Sequence, residues 1–248
     1  MEQVIEQAAQ LVAKAQRIVA LTGAGISVPS GIPDFRGNSG LWVGQDPLEV
    51  ASAHAFAAHP DRFFRWIRPL LDQVLSAEPN PAHRALATLE RQHQLRAVIT
   101  QNIDGLHQRA GSREVFELHG HLRSATCSAC GCHVPAEPLL PRVRRGELPR
   151  CQCGAVYKPD IILFGDQLPL NLYWLAVEEL KHCDLLIVVG TSLEVAPVSE
   201  MPQLALDHGA KLVIINTSPT HIDPLADVVL QGNAANILPK IIDYRRPS

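Results

Sequence analysis

The chain has 248 residues and a mass of 27.1 kDa, enough for one large domain or one domain with a small module. Apolar residues make up 46% and charged residues 19%, which fits a globular chain with a real core and excludes disorder. The 22 Lys and Arg are outnumbered by 25 Asp and Glu, so no basic nucleic-acid-binding surface drives the function and no direct nucleic-acid partner is expected.

From the N-terminus, Val4, Ile5, Ala8, Leu11, Val12 and Ala15 share one stripe at helical spacing. No basic segment leading into an apolar one marks a secretory signal, so a cytoplasmic protein is expected. A short apolar run from Arg17 to Thr22 then reads as a buried strand that ends in the turn Gly23-Ala24-Gly25. Residues 33–80, rich in Ala, His and aromatic side chains, are irregular and read as partly helical. A helix is expected over 81–92, then a strand from Ala97 toward Asp104. A second helix is expected over 170–181, followed by strand-like runs at 184–192 and 211–217 and a weaker one at 226–232. None approaches the ~20 apolar residues of a membrane span, so no membrane partner is expected. These runs lack alternation, as strands do when both faces of a parallel sheet are covered. The alternating order predicts an α/β fold: a Rossmann-like open parallel sheet with helices on both faces.

The segment 121–157 breaks that order and carries the strongest signal read from residue types alone. Cys127-x2-Cys130 and Cys151-x-Cys153 are separated by 20 residues, a spacing that suits one tetrahedral zinc ion. Four thiolates close the coordination sphere, so the ion is expected to be structural, inside a small inserted zinc-binding module. Cys132 rivals one ligand place, with His133 behind it. Cys183 ends a helix before a strand and reads as a buried apolar residue.

Ligands of open α/β sheets bind beyond the carboxyl ends of the strands, and polar residues collect there. Glycines at 23 and 25 permit a tight turn whose N–H groups could meet a pyrophosphate near a helix N-terminus. The third glycine place of the dinucleotide fingerprint holds Val28, and no acidic residue ends a strand about 20 residues on, which argues against hydride transfer. The loop Gly31-Ile-Pro-Asp-Phe-Arg-Gly37 reads either as a surface loop with an Asp34–Arg36 ion pair or as a closing loop with Arg36 near phosphate. Asn102 and Asp104 either cap the next helix or bond a ligand. His119 before Gly120 has the right chemistry for a base at neutral pH, although a lone histidine is more often structural.

Taken together and in order, these pieces resemble one family, the sirtuins, NAD-dependent protein deacylases. The resemblance rests on Gly23 through Arg36, Gly40-Leu-Trp42, Thr100-Gln-Asn-Ile-Asp104, Leu118-His-Gly120, Pro159 through Asp166, Gly190-Thr-Ser192 and Asn216. It covers nearly the whole chain and favours the closing-loop reading. It implies that Gly23, Ala24, Gly25 and Ser27 line the pyrophosphate and nearby ribose, with Asp34, Phe35 and Arg36 in a mobile cofactor loop. Gln101 would bind the nicotinamide ribose, Asn102 would position water or reacting groups, and Ile103 and Asp104 would receive the nicotinamide amide. Gly190, Thr191, Ser192 and Asn216 would hold phosphate and the adenosine ribose, and Ala234 would touch adenine. Phe164, Gly165, Leu193, Glu194 and Val195 would flank an acylated-lysine peptide joined by strand addition. His119 would be the base that lets a ribose hydroxyl attack an imidate carbon, yielding free lysine and O-acyl-ADP-ribose. The usual Glu after Phe-Gly is Asp166 here.

In the desuccinylating branch a Tyr and an Arg three residues apart meet the acidic acyl group. By spacing those places fall on Ile67 and Leu70, so acetyl or a longer neutral acyl group is expected. The expected organisation is one catalytic unit, 1–248, acting as a monomer with little beyond its core at either end. Its large lobe would comprise 1–32, 81–120 and 158–248, its zinc module 121–157, and its cofactor-loop and helical insertion 33–80. ADP-ribosyl transfer or NAD hydrolysis on the same scaffold is the alternative, and a zinc-ribbon nucleic-acid module is a further rival.

Overall fold

The computed structural model describes residues 1–35, 40, 44 and 46–244. In chain order the elements are α1 (Glu2–Lys14), β1 (Ile18–Thr22), α2 (Pro47–Val50), α3 (Ala53–Ala58), α4 (Pro60–Ser76), α5 (Pro81–Arg91), β2 (Leu95–Thr100) and α6 (Leu106–Ala110). There follow β3 (Val115–Glu117), β4 (Gly120–Cys127), β5 (His133–Pro135), α7 (Leu140–Arg144), β6 (Tyr157–Ile161), α8 (Leu170–His182), β7 (Leu185–Val189), α9 (Met201–Asp207), β8 (Lys211–Asn216), β9 (Val228–Gln231) and α10 (Ala234–Asp243).

Six strands form one parallel sheet in the order β3-β2-β1-β7-β8-β9. Successive residues of each central strand feed opposite cores, which is why the sequence runs do not alternate. Ile18 and Ala20 of β1 pack with α1, α5 and α10. Val19 and Leu21 pack with α8 and α9. The last strand departs from the expectation of full cover: Val228 and Leu230 are buried while Val229 is exposed. It is the sheet edge, so one face lacks a covering helix. Another difference follows β1. The chain there forms two single-turn 3-10 segments, Ala24–Ile26 and Val28–Ser30, where the sequence suggested the N-terminus of a helix.

β4, β5 and β6 form a separate antiparallel sheet in the order β5-β4-β6. The amphipathic stripe of α4, Phe63, Phe64, Ile67, Leu70, Leu71 and Val74, packs in one core with Val143, Val156, Ile161 and Leu163 from the cysteine-bearing region. The two segments that interrupt the α/β order in sequence therefore share one hydrophobic core. The helical one is also stitched at its start to the chain after β6: Ala53 N–H donates to the Phe164 carbonyl at 2.9 Å and Phe164 N–H to the Ala51 carbonyl at 3.0 Å.

α5 shows how local sequence anchors this frame. Asn80 caps it, Pro81 supplies the fixed φ of the first helical place, and His83 returns a bond to the Asn80 N–H.

Candidate active site

The carboxyl ends of β1, β2, β7 and β8, the residues just after β3, and the segment after β6 enclose a cleft of about 530 Å³, a size usual for ligand sites. The strand order turns about β1, so the cleft lies at the topological switch point.

The turn after β1 fits tightly against the turn after β7. A side chain at Gly190, where φ is +63°, would meet the backbone nitrogen of Ile26 at 2.3 Å. Gly23 N–H donates to the Val189 carbonyl at 3.2 Å and Gly25 N–H to the Gly190 carbonyl at 2.8 Å. Those two donors are therefore taken inside the protein, contrary to the reading of a glycine cradle for phosphate. The amides of Ala24, Thr191 and Ser192 make no bond to any described residue and are the donors left for a ligand. Among the described residues no Lys or Arg lines the cleft, while Asp34, Asp166 and Glu194 do. Arg36 lies outside the described residues.

The loop after β2 supplies the next wall. Gln101 donates from Nε2 to Thr191 Oγ1 at 2.9 Å. Asn102 Nδ2 donates to the Gly23 carbonyl and to Ser27 Oγ, each at 3.1 Å. Ser27 Oγ in turn donates to Asp104 Oδ2 at 2.7 Å, and Asp104 Oδ1 accepts the Leu106 N–H at 2.9 Å. Asp104 thus bonds the first amide of α6 from just before the helix and is tied to the first turn. Burial raises its pKa above the ordinary carboxylate value, opposed by those two bonds.

His119 follows β3, and its ring hydrogen-bonds the Gln101 carbonyl. Its backbone is fixed from the other side, because Ile162 N–H donates to the His119 carbonyl at 2.9 Å. Gly120, at φ +73°, passes so close to β6 that a Cβ would meet the Asp160 oxygen at 2.1 Å. Burial lowers the His119 pKa from 6.5, which keeps the imidazole neutral and able to take a proton at neutral pH.

Of the residues the sequence singled out, Gly23, Ala24, Gly25, Asp34, Phe35, Gln101, Asn102, Ile103, His119, Phe164, Gly165, Gly190, Thr191, Ser192, Glu194, Val195 and Asn216 line the one cleft. Four others do not. Ser27 and Asp104 sit behind the wall, bonded to each other. The Leu193 side chain is buried in the α8–α9 core, and Ala234 is buried at the start of α10. Residues not singled out also line it: Ala51, Trp66, Leu168, Ala196, Pro197 and the run Thr217–Pro219. The last follows Asn216 at a strand end, the signal that located the other walls. Ala51 and Trp66 carry no such signal.

Towards α4 the cleft turns apolar, walled by Ala51, Trp66, Ile67, Leu70, Ile161 and Leu163. Ile67 and Leu70, the places that the resemblance gives to the Tyr and Arg of the desuccinylating branch, both belong to this apolar wall. Asp166 is held by Lys158 Nζ at 2.9 Å and by the Leu163 N–H at 3.0 Å.

The four cysteines converge as their spacing suggests. Sγ atoms of Cys127, Cys130, Cys151 and Cys153 all lie within 4.8 Å of one another, with Cys127–Cys153 at 3.4 Å and Cys130–Cys151 at 3.7 Å. Zinc–sulfur bonds of about 2.3 Å in a tetrahedron need sulfur separations near these, so the set fits a closed zinc site. Cys132 takes no ligand place; its sulfur accepts from the Tyr157 hydroxyl at 3.7 Å. Cys183 is buried.

A parallel α/β sheet with a polar switch-point cleft, joined to a four-cysteine metal module, defines a nucleotide-dependent enzyme with a structural metal. More particularly, the chain belongs to the Sir2 family, whose sequence model matches residues 23–197. It is 49% identical to NAD-dependent protein deacylase 2 of Archaeoglobus fulgidus, over 98% of this chain and 96% of that one. It is 40% identical to the NAD-dependent protein deacetylase of Sulfolobus acidocaldarius, over 96% and 94%. Among solved structures, a Sir2 enzyme bound to a myristoylated histone peptide superposes with a TM-score of 0.85 at 42% identity, covering 98% of this chain and 96% of that one. A Sir2 variant with a deacetylated p53 peptide and 3'-O-acetyl-ADP-ribose gives 0.93 at 36% identity, covering 97% and 98%.

Proposed function

We propose that this protein removes neutral acyl groups from lysine side chains, consuming NAD and releasing nicotinamide, free lysine and O-acyl-ADP-ribose. The observation that carries the reading is His119. A neutral imidazole, oriented by the Gln101 carbonyl, opens into the same cleft as the first turn and the turn after β7. NAD supplies an activated glycosidic bond. The free amides of Ala24, Thr191 and Ser192 suit its phosphates, and Gln101 and Asn216 suit its riboses. Ile103 suits the nicotinamide amide directly; Asp104 acts from behind the wall, by fixing Ser27 and the loop. His119 holds the proton given up by a ribose hydroxyl. Asn102 lines the cleft, and with its Nδ2 already engaged its Oδ1 is the acceptor left for water or the reacting groups.

The acyl-lysine peptide fits between Phe164–Gly165 and Glu194–Val195, where it can add as a strand, with the Leu193 backbone contributing in place of its buried side chain. The apolar wall of Trp66, Ile67 and Leu70 favours acetyl or a longer neutral chain. This matches the myristoylated peptide carried by one structural relative. A reducing cytoplasm suits six unpaired cysteines, four of them set for metal. No helix among the described residues is long and apolar enough to cross a membrane.

The test is mass spectrometry of products from NAD and an acetyl-lysine peptide. O-acetyl-ADP-ribose is expected; nicotinamide with free ADP-ribose and intact peptide would mean NAD hydrolysis instead.

A further inference from the structure

Two buried histidines that take no part in the chemistry lie beneath the rim of the sheet. His83 on α5 and His107 on α6 are 0% and 1% exposed, and their rings sit 4.9 Å apart at 60°. His83 Nδ1 accepts the Asn80 N–H at 3.3 Å, so a neutral His83 carries its proton on Nε2. His107 Nε2 lies 2.9 Å from Thr22 Oγ1, which lies 2.8 Å from Thr100 Oγ1. Thr100 Oγ1 also accepts the N–H of Asn102 at 3.1 Å. Two nitrogens are left without partners, His83 Nε2 and His107 Nδ1.

The direction of the threonine hydroxyls decides what those nitrogens are. If Thr100 donated to Thr22, Thr22 would donate to His107 Nε2, and His107 would carry its proton on Nδ1. Two orphaned donors would then share one buried space. If Thr22 donates to Thr100, His107 Nε2 donates to Thr22 and Nδ1 is a lone pair. One orphan is then a donor and the other an acceptor. Burial holds both rings neutral, His83 down to about 4, so neither escapes the conflict by gaining a proton.

We propose that His83 and His107 are paired positioning residues. His107 Nε2–H donates to Thr22, Thr22 donates to Thr100, and Thr100 Oγ1 accepts the Asn102 N–H, while the His83 ring, fixed by the Asn80 N–H, packs edge-on against His107 and holds it by contact. The relay fixes the loop after β2 at the residue that faces the reacting groups. Asn80 carries the same network to the opposite wall, donating from Nδ2 to the Ile26 carbonyl at 2.7 Å and to Ser30 Oγ at 2.9 Å. The start of α5 thus holds both the first turn and the catalytic loop in register.

The kinetic part rests on the deacylase reading; the tautomers do not. Histidine-selective 15N labelling of the full chain is expected to show both rings as Nε2–H tautomers at neutral pH, and an Nδ1–H form of His107 would overturn the relay. In deacylation assays His107→Leu, which gives Thr22 no donor, is expected to lower kcat about tenfold with the peptide KM within about twofold. His107→Gln, which keeps a donor, is expected to recover most of that loss. Equal rates for the two variants, or a Leu variant at wild-type kcat, would also overturn it. If the Leu variant does not fold, the tautomers decide. Expected tautomers in a wild-type protein that never deacylates would refute the function and leave the pairing intact.

Discussion

The two sides of the cleft are built on opposite principles. On the sheet side the key polar side chains are tied in place: Gln101 with Thr191, Asn102 with Ser27, Ser27 with Asp104, and Asn216 with the Thr191 carbonyl. On the α4 side the wall is Trp66, Ile67, Leu70 and Leu163, held by packing against the cysteine-bearing module. Interlocked hydrogen bonds fix atoms to fractions of an ångström, which suits proton transfer and orientation. Close packing fixes only shape and polarity, which suits discrimination between acyl groups. Chemistry and selectivity can therefore be damaged separately.

The sharpest way to break the comparison is on the sheet side. His119→Ala is expected to lower kcat by about 10³-fold or more with the melting temperature and zinc content unchanged. A variant deacylating at wild-type rate would remove His119 from the mechanism. Next in size is the metal. Chelation, or Cys151→Ser, is expected to bring the whole protein out of solution, because the module shares its core with α4 and structural zinc contributes roughly 10–16 kcal/mol of coupled folding in small peptides. A zinc-free protein that stays folded and active would refute a structural ion.

Selectivity tests the other side. Acetyl-lysine is expected to exceed succinyl-lysine by about a hundredfold or more in kcat/KM, since an unpaired carboxylate would meet Ile67 and Leu70. Ile67→Arg should narrow that ratio while NAD cleavage persists; an unchanged ratio would place the acyl group elsewhere. A milder effect is expected from pH. Burial lowers the His119 pKa, so the base is neutral above it and protonated below. Deacylation should hold level at pH 7 and fall about tenfold per unit once pH drops below that lowered pKa, under 6.5. A falling limb centred above pH 7 would mean a different base. The smallest effect concerns stability. His83 titrates near 6.5 when unfolded and near 4 when folded, so its contribution is full above 6.5 and is lost as pH falls toward 4. Melting temperature should decline across that window, and less steeply in His83→Gln, where buried His107 still resists the proton.

Much of this was legible in the residues. Uninterrupted apolar runs marked β1, β2, β7 and β8, because strands covered on both faces need nothing else. Polar residues at their ends marked the cleft. What escaped notice has physical reasons. β3 is three residues long, too short to carry a period, yet it delivers His119. The N–H groups of Gly23 and Gly25 looked available because a sequence does not show that β7 ends beside them. Trp66 and Ala51 belong to a wall set by how α4 lies against the cysteine module, a matter of tertiary packing. Leu193 and Ala234 match the family by position along the chain, which says nothing of where a side chain points.

The seat of His119 has a consequence for inhibition. Its ring hangs from the carbonyl of Gln101, whereas its own carbonyl is gripped by Ile162, next to the antiparallel sheet. Ile162 itself lines the cleft, so a compound wedged against it would pull on the His119 backbone and shift the imidazole. Such a molecule could silence the enzyme without resembling nucleotide or peptide.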